Sequence, residues 1–245
     1  MGMPSKSTYR VFLLCLILFS SILCSGVQSQ SIFEWQSSNI QLSTGNTFEL
    51  GPSDRTIITF EHLDRYRYGD NYLFYDFTTT TDSYYAEWRT RLSLSRISGK
   101  EVAFGPITDV LVGAQLEFLD GGENRQGYGI GLALDVPGFQ NFGANFLSRD
   151  DPRFSGRAGL LVFNWRAALN WGAPVNFEGF CDIQEAEGEQ NSWVHCQPRL
   201  LLDIGHFYGR AGEIFGGIEY QYWSDKFGAG ITSENALQAQ LKFLF

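Results

Sequence analysis

Tyr72, Phe74 and Asp76 share one face if the chain around them is extended, and Arg89 and Arg91 do so on the segment that follows. Glu117, Arg199, Asp203, Glu219, Gln238 and Lys242 fall on the polar faces of later segments. Rings set among carboxylates and guanidiniums can hold a planar solute that carries hydroxyls. The ring covers the flat apolar face, and the charged groups exchange hydrogen bonds with the hydroxyls. The same side chains also fit an acid–base ladder that neutralises charge inside a narrow barrel, and one set can serve both ends. Other chemistry finds less support. His62, His195 and His206 are the three histidines, and none stands at metal-ligand spacing from another His or from a Cys. No serine lies beside His195 or His206 at a spacing that suggests a nucleophile and its base. The expectation is no catalytic residue, no metal and no cofactor.

The elements that must position these groups are strands. In 236–245, Leu237, Ala239, Leu241, Phe243 and Phe245 alternate with Gln238, Gln240 and Lys242. Ile214, Gly216, Ile218, Tyr220 and Tyr222 alternate with Glu213, Phe215, Gly217, Glu219 and Gln221. Val194, Cys196, Pro198, Leu200, Leu202 and Ile204 are opposed by His195, Gln197, Arg199, Leu201 and Asp203. A period of two with one charge-free face is what an apolar outside and a polar inside require of a membrane barrel. A soluble sandwich or lipocalin-like barrel has the same period with the apolar face turned inward. The membrane form is favoured by Tyr220, Tyr222 and Trp223 near a strand end, where an aromatic girdle would sit, by polar faces rich in Gly, Asn and Gln, and by the terminal Phe245. The full pass gives an all-β chain, a closed antiparallel transmembrane barrel of about twelve strands. They fall near 39–50, 55–67, 71–79, 84–97, 109–119, 127–136, 139–148, 157–168, 174–184, 192–204, 213–224 and 236–245. An even number puts both termini on the periplasmic side. Turn chemistry separates the segments at Gly69-Asp70, Ser98-Gly99-Lys100, Asp120-Gly121-Gly122, Pro137-Gly138 and Glu187-Gly188-Glu189.

Residues 1–29 read as a cleaved export signal and 30–245 as the barrel domain. Lys6 and Arg10 precede the apolar run Val11 to Leu23, and Val27-Gln28-Ser29 resembles a small-x-small cleavage site; cutting after Gly26 is the alternative. Loss of Lys6 and Arg10 would deepen the net charge of −9, and no basic patch remains to neutralise phosphates, so nucleic acid is not an expected partner. Cys181 and Cys196 have their midpoint between Gly188 and Glu189, inside the acidic turn. A symmetric hairpin then sets them opposite each other on the apolar face. A disulfide is expected in an oxidising compartment, the alternative being two buried thiols.

Several stretches resemble one known family. They are Gly69-Asp70-Asn71-Tyr72-Leu73-Phe74-Tyr75-Asp76, Phe104-Gly105-Pro106-Ile107-Thr108-Asp109-Val110 and Gly131-Leu132-Ala133-Leu134-Asp135-Val136-Pro137-Gly138-Phe139. Glu178-Gly179-Phe180-Cys181-Asp182, Gln197-Pro198-Arg199-Leu200-Leu201-Leu202-Asp203-Ile204-Gly205 and Gly217-Ile218-Glu219-Tyr220-Gln221-Tyr222-Trp223 follow in order. Together they are similar to the nucleoside-specific channel-forming outer-membrane proteins of the Tsx type, with closer likeness to the OmpK-like branch. The resemblance implies a monomeric twelve-stranded barrel of the bacterial outer membrane that admits nucleosides or similar small solutes passively. Its partners would be those solutes, outer-membrane lipid and the barrel assembly machinery, whose insertion signal the terminal Phe245 resembles. A lipid-modifying enzyme and a closed structural or receptor barrel are the alternatives. The pair Cys181 and Cys196 is a departure from the family pattern.

Overall fold

The computed structural model describes residues 32–230 and 233–245; the expected signal segment and its cleavage site lie outside the described residues. The strands in chain order are β1 (Phe33–Gly45), β2 (Arg55–Tyr66), β3 (Gly69–Thr78), β4 (Ser83–Ser93), β5 (Ile107–Leu119) and β6 (Arg125–Leu134). They continue as β7 (Asn141–Asp150), β8 (Ala158–Asn170), β9 (Pro174–Gln184), β10 (Trp193–Asp203), β11 (Ile214–Ser224) and β12 (Glu234–Leu244). Each pairs antiparallel with its neighbours in sequence, and β1 pairs with β12 to close the barrel. Closure leaves no free sheet edge, the condition for placing backbone in lipid.

Which face is wet separates the membrane barrel from its soluble counterpart. The outward faces carry exposed apolar side chains, among them Ile40, Leu42, Ile58, Trp88, Val112, Ile130, Phe146, Ile218, Leu237, Leu241 and Phe243. The buried interior holds Asn39, Gln41, Glu61, Glu87, Gln115, Glu117, Asn145, Glu219, Gln238 and Gln240. A soluble barrel would carry these two sets the other way round. The polar side chains of the interior hydrogen-bond one another, which offsets their desolvation cost, and a small apolar cluster of Leu147, Leu160, Val162, Trp193 and Trp223 packs among them.

Except at β1 and at the end of β4, every strand begins and ends within two residues of expectation. The first strand was placed at 39–50 but runs Phe33–Gly45. Its opening half carries Glu34, Gln36 and Ser38 on the outward face and so shows no apolar alternation. Beyond it, Phe48 and Leu50 imitate a strand. In fact Phe48 folds back as a buried loop residue, with the Arg55 guanidinium 4.5 Å above its ring. The fourth strand stops at Ser93 and gives way to a short helix, α1 (Leu94–Ser98). Ser93 caps it by accepting from the Arg96 N–H, and Gly99 ends it in the left-handed region.

Two further expectations are corrected. The turn placed at Gly69-Asp70 is made by Arg67 and Tyr68, and Gly69 begins β3. Glycine is required there by contact: an added methyl group would lie 1.8 Å from the Arg91 carbonyl oxygen. Trp223 is not a girdle residue. It has the opposite parity to Tyr220 and Tyr222, is buried, and faces inward.

Candidate functional site: the lumen

Inward-facing side chains enclose a cavity of about 950 Å³. Its lining begins with Asn141 and Leu244 near the end that bears the termini and reaches Arg55, Ser83 and Lys226 at the far end. Alternation places the lining groups. Tyr72, Phe74 and Asp76 of β3 face inward, as do Arg89 and Arg91 of β4, Glu117 of β5, Arg199 of β10 and Lys242 of β12.

Two ionic networks brace the wall. In the first, Arg199 donates to Glu219 (2.5 Å) and to Glu61 (3.1 Å), while Lys242 donates to Glu178 (2.5 Å) and lies 3.6 Å from Glu61. Tyr72 and Asn39 donate their hydroxyl and amide to the same Glu61 carboxylate. In the second, Arg149 grips Glu117 with two hydrogen bonds of 2.6 and 2.8 Å, and Arg89 donates to Glu87 (2.6 Å) and Gln115. Arg91 makes a two-pronged contact with Asp70 at 2.8 and 2.9 Å. Such forks fix guanidinium orientation as well as charge.

Aromatic rings fill the wall between the charges. Phe74 packs between Tyr72 (5.8 Å between centroids) and Tyr85 (5.5 Å). A second set comes from β9, β10 and β11. His195 stacks on Trp223 at 3.9 Å, and Phe180 meets His195 edge-on at 5.2 Å. Beside them Asp182 pairs with His195 across the strands. Asp182 Oδ1 and His195 Nε2 are buried without a hydrogen-bond partner among the described residues.

Not every expected lumen residue lines the cavity. Asp203 is inward and buried, but its carboxylate accepts from the His206 and Gly212 N–H groups at 3.0 and 2.8 Å. It holds the β10–β11 connection together and is withdrawn from the binding set. Glu219 lies behind Arg199, where it accepts from Gln238 and Gln240. The sequence reading missed Glu61, Glu87, Arg149, Glu178, Phe180 and Asp182. Extending the same alternation through β2, β4, β7 and β9 would have found them.

Cys181 and Cys196 are direct register partners on β9 and β10 and form a disulfide on the outward face. The connection they flank carries Glu187, which enters a further cluster at the far end. Asp151 there forms an ion pair with Arg125 (2.7 Å) and accepts from Arg153 (2.7 Å), and its own N–H donates to Glu187 (2.9 Å). Burial alone would raise the Asp151 carboxyl, but the Arg153 hydrogen bonds and the charges of Arg125 and Arg153 hold it down at about 2. Burial pushes the Glu187 carboxyl up, against its bond to the Asp151 N–H and the Arg149 charge. A folded-state value below the unfolded one stabilises above about pH 4 and is lost as the pH falls towards 2. Amide exchange in 151–157 should therefore accelerate between pH 4 and pH 2, with a loss of about 2 kcal/mol. Asp151→Asn should abolish that transition; a wild-type pH profile in the variant would assign the effect to another group.

The family model for the nucleoside-specific channel-forming protein, Tsx, matches residues 30–229. The chain belongs to this family. Within the Tsx-type group, the outer membrane protein OmpK of Vibrio parahaemolyticus is 26% identical over 152 residues, which is 60% of this chain and 51% of that protein. The match spans about half the length of that relative. Among solved structures, the KdgM porin aligns over 85% of this chain and 99% of its own, at 8% identity and a TM-score of 0.52. The NanC porin aligns over the same shares at 11% identity and a TM-score of 0.54. Both show the fold. This Tsx-type chain is an outer-membrane β-barrel.

Proposed function

We propose that the barrel is a passive channel for nucleosides or similar small solutes, working as a monomer and without a cofactor. The observation that carries this reading is a lumen lined from one end to the other, in which aromatic rings alternate with charges already paired to one another. Paired charges leave little net field to repel a neutral solute, yet keep lone pairs and N–H groups for its hydroxyls. A nucleobase laid on a ring gains about 1–3 kcal/mol. Binding must stay weak enough for the solute to leave. Phe74, flanked by Tyr72 and Tyr85, is the proposed stacking surface; Asp76 and the arginines are the proposed ribose contacts. Asp182 and His195, whose side chains line the same cavity, extend the set on the β9–β10 wall. Passive passage needs no chemical step, in keeping with relatives described as channel-forming proteins and porins.

The test compares two neighbours of opposite parity. Phe74→Ala should lower nucleoside flux at low concentration at least about fivefold in liposome swelling, taking the weak end of the stacking range, about 1 kcal/mol. A small sugar should pass unaffected. Tyr75 faces outward against Tyr84, stacked at 5.7 Å, and Tyr75→Ala should leave selectivity alone. Unaltered nucleoside flux in Phe74→Ala would remove the stacking surface from the path.

A further inference from the structure

The outward face carries a serine and a histidine that the channel does not use, beside Asp64, which also borders the cavity near the rim that bears the termini. Ser38 of β1 and His62 of β2 are direct register partners, and Ser38 Oγ lies 2.8 Å from His62 Nδ1. The other ring nitrogen, Nε2, is 3.5 Å from Asp64 Oδ2, and Asn71 donates to Oδ1 of that carboxylate at 2.9 Å. The inward neighbours Asn39 and Glu61 are buried in the lumen, so strand alternation turns Ser38 and His62 to the lipid side. A hydroxyl, an imidazole and a carboxylate in a row are the parts of a nucleophile, its base and the group that orients the base. Here the serine meets Nδ1 and the carboxylate Nε2. The two nitrogens can exchange these roles because the imidazole passes one proton at either.

Depth along the strand points to the substrate. On the same face of β1, Ile40 and Leu42 are exposed on one side of Ser38, while Gln36 and Glu34 are exposed on the other. Ser38 therefore stands where the apolar band gives way to polar surface. Its carbonyl accepts from the N–H of Phe245, the last residue, which marks the terminus-bearing rim. The ester groups of a membrane lipid lie at that boundary, between acyl chain and headgroup.

We propose that Ser38, His62 and Asp64 form a nucleophilic serine site on the membrane-facing wall that cleaves the acyl esters of membrane lipids. Ser38 Oγ attacks the ester carbonyl carbon as its proton passes to His62. The bond from that carbon to the lipid alcohol oxygen breaks, and the alcohol leaves with the proton from His62. Water, deprotonated by His62, then attacks the acyl-serine and releases the fatty acid, restoring the Ser38 hydroxyl. Asp64 is a positioning residue. Gln36, two residues before Ser38 on the same face, offers the amide donor for the oxyanion.

The test is active-site labelling of the full chain in detergent micelles with a fluorophosphonate probe, read by peptide mass spectrometry. The probe should attach to Ser38, and Ser38→Ala should remove the label. His62→Ala and His62→Gln should each slow labelling at least about 100-fold; the Gln variant keeps a hydrogen bond to Ser38 but no base. Heat-dependent gel migration identifies folded protein in each case. Asp64→Asn should slow labelling and Asp64→Glu should restore it, because only a carboxylate can hold the imidazole in the tautomer that presents a free lone pair to Ser38. Absence of label on wild-type Ser38, or wild-type rates in a folded His62 variant, would overturn the site. Wild-type labelling in Asp64→Asn, or no rescue by Asp64→Glu, would take Asp64 out of it. Phospholipid vesicles should lose fatty acid to the wild type and not to Ser38→Ala; label without release would overturn the lipid substrate. Nucleoside flux through Ser38→Ala should equal that of the wild type, so failure here leaves the channel reading standing.

Discussion

Arg199→Ala should destabilise the folded barrel by about 3–5 kcal/mol, the range found when one partner is stripped from a buried ion pair. The reason lies in what remains. Glu61 keeps Lys242 nearby and the hydroxyl of Tyr72. Glu219 loses its sole cation among the described contacts and is left with the amides of Gln238 and Gln240 in a wall that water reaches poorly. A carboxylate so placed must either stay charged at a cost or take up a proton. Urea unfolding in lipid vesicles measures the change. Adding Glu219→Gln to Arg199→Ala should recover much of the loss, since no uncompensated charge then remains. A single-variant effect below about 1 kcal/mol, a surface-pair value, would mean that solvent fills the wall beside Glu219.

Gly217→Ala should cost about 3 kcal/mol or more and reduce the folded, heat-modifiable form on a gel. One methyl group at this position would stand 2.0 Å from the carbonyl oxygen of Leu200 on β10. That atom belongs to the backbone, so no side-chain rotation can relieve the clash, and the strands themselves must separate. Overpacking a well-filled site costs about 1–3 kcal/mol where side chains can adjust; here they cannot. Wild-type stability in Gly217→Ala would show that β10 and β11 can part by more than the register between them suggests.

The sequence made the architecture legible because a barrel writes its fold as a period of two, and that signal is local. The faces of β10, β11 and β12 were readable from composition alone. The placing of Cys181 opposite Cys196 followed from the centre of one hairpin. What escaped reading was non-local or masked. The start of β1 has polar residues on its outward side, beyond the apolar band, so alternation fails where the strand begins. Asp203 has the parity of a lumen residue, but its carboxylate turns to backbone N–H groups of the next connection, which parity cannot foresee. Trp223 was misplaced because aromatic character near a strand end was weighed above its own parity. The partner of Arg199, Glu61, lies 138 residues earlier in the chain. Ser38 and His62 are 24 residues apart and meet only through the register of β1 on β2. No spacing rule along the sequence finds such neighbours.

The ladder between β1 and β12 joins seven residue pairs, from Asn39 with Leu244 to Gly45 with Gln238, whereas β1 meets β2 over twelve. It is also the one ladder whose strands are not consecutive in the chain. Every other pairing can form as a hairpin, soon after its second strand is available, with a short loop to close. This seam must wait until the last strand exists, and it brings together residues about two hundred positions apart, so it pays the largest ordering entropy for the fewest hydrogen bonds. The cylinder is thus a zipper with one late tooth-row. The seam between β1 and β12 is therefore where the finished wall is easiest to part sideways.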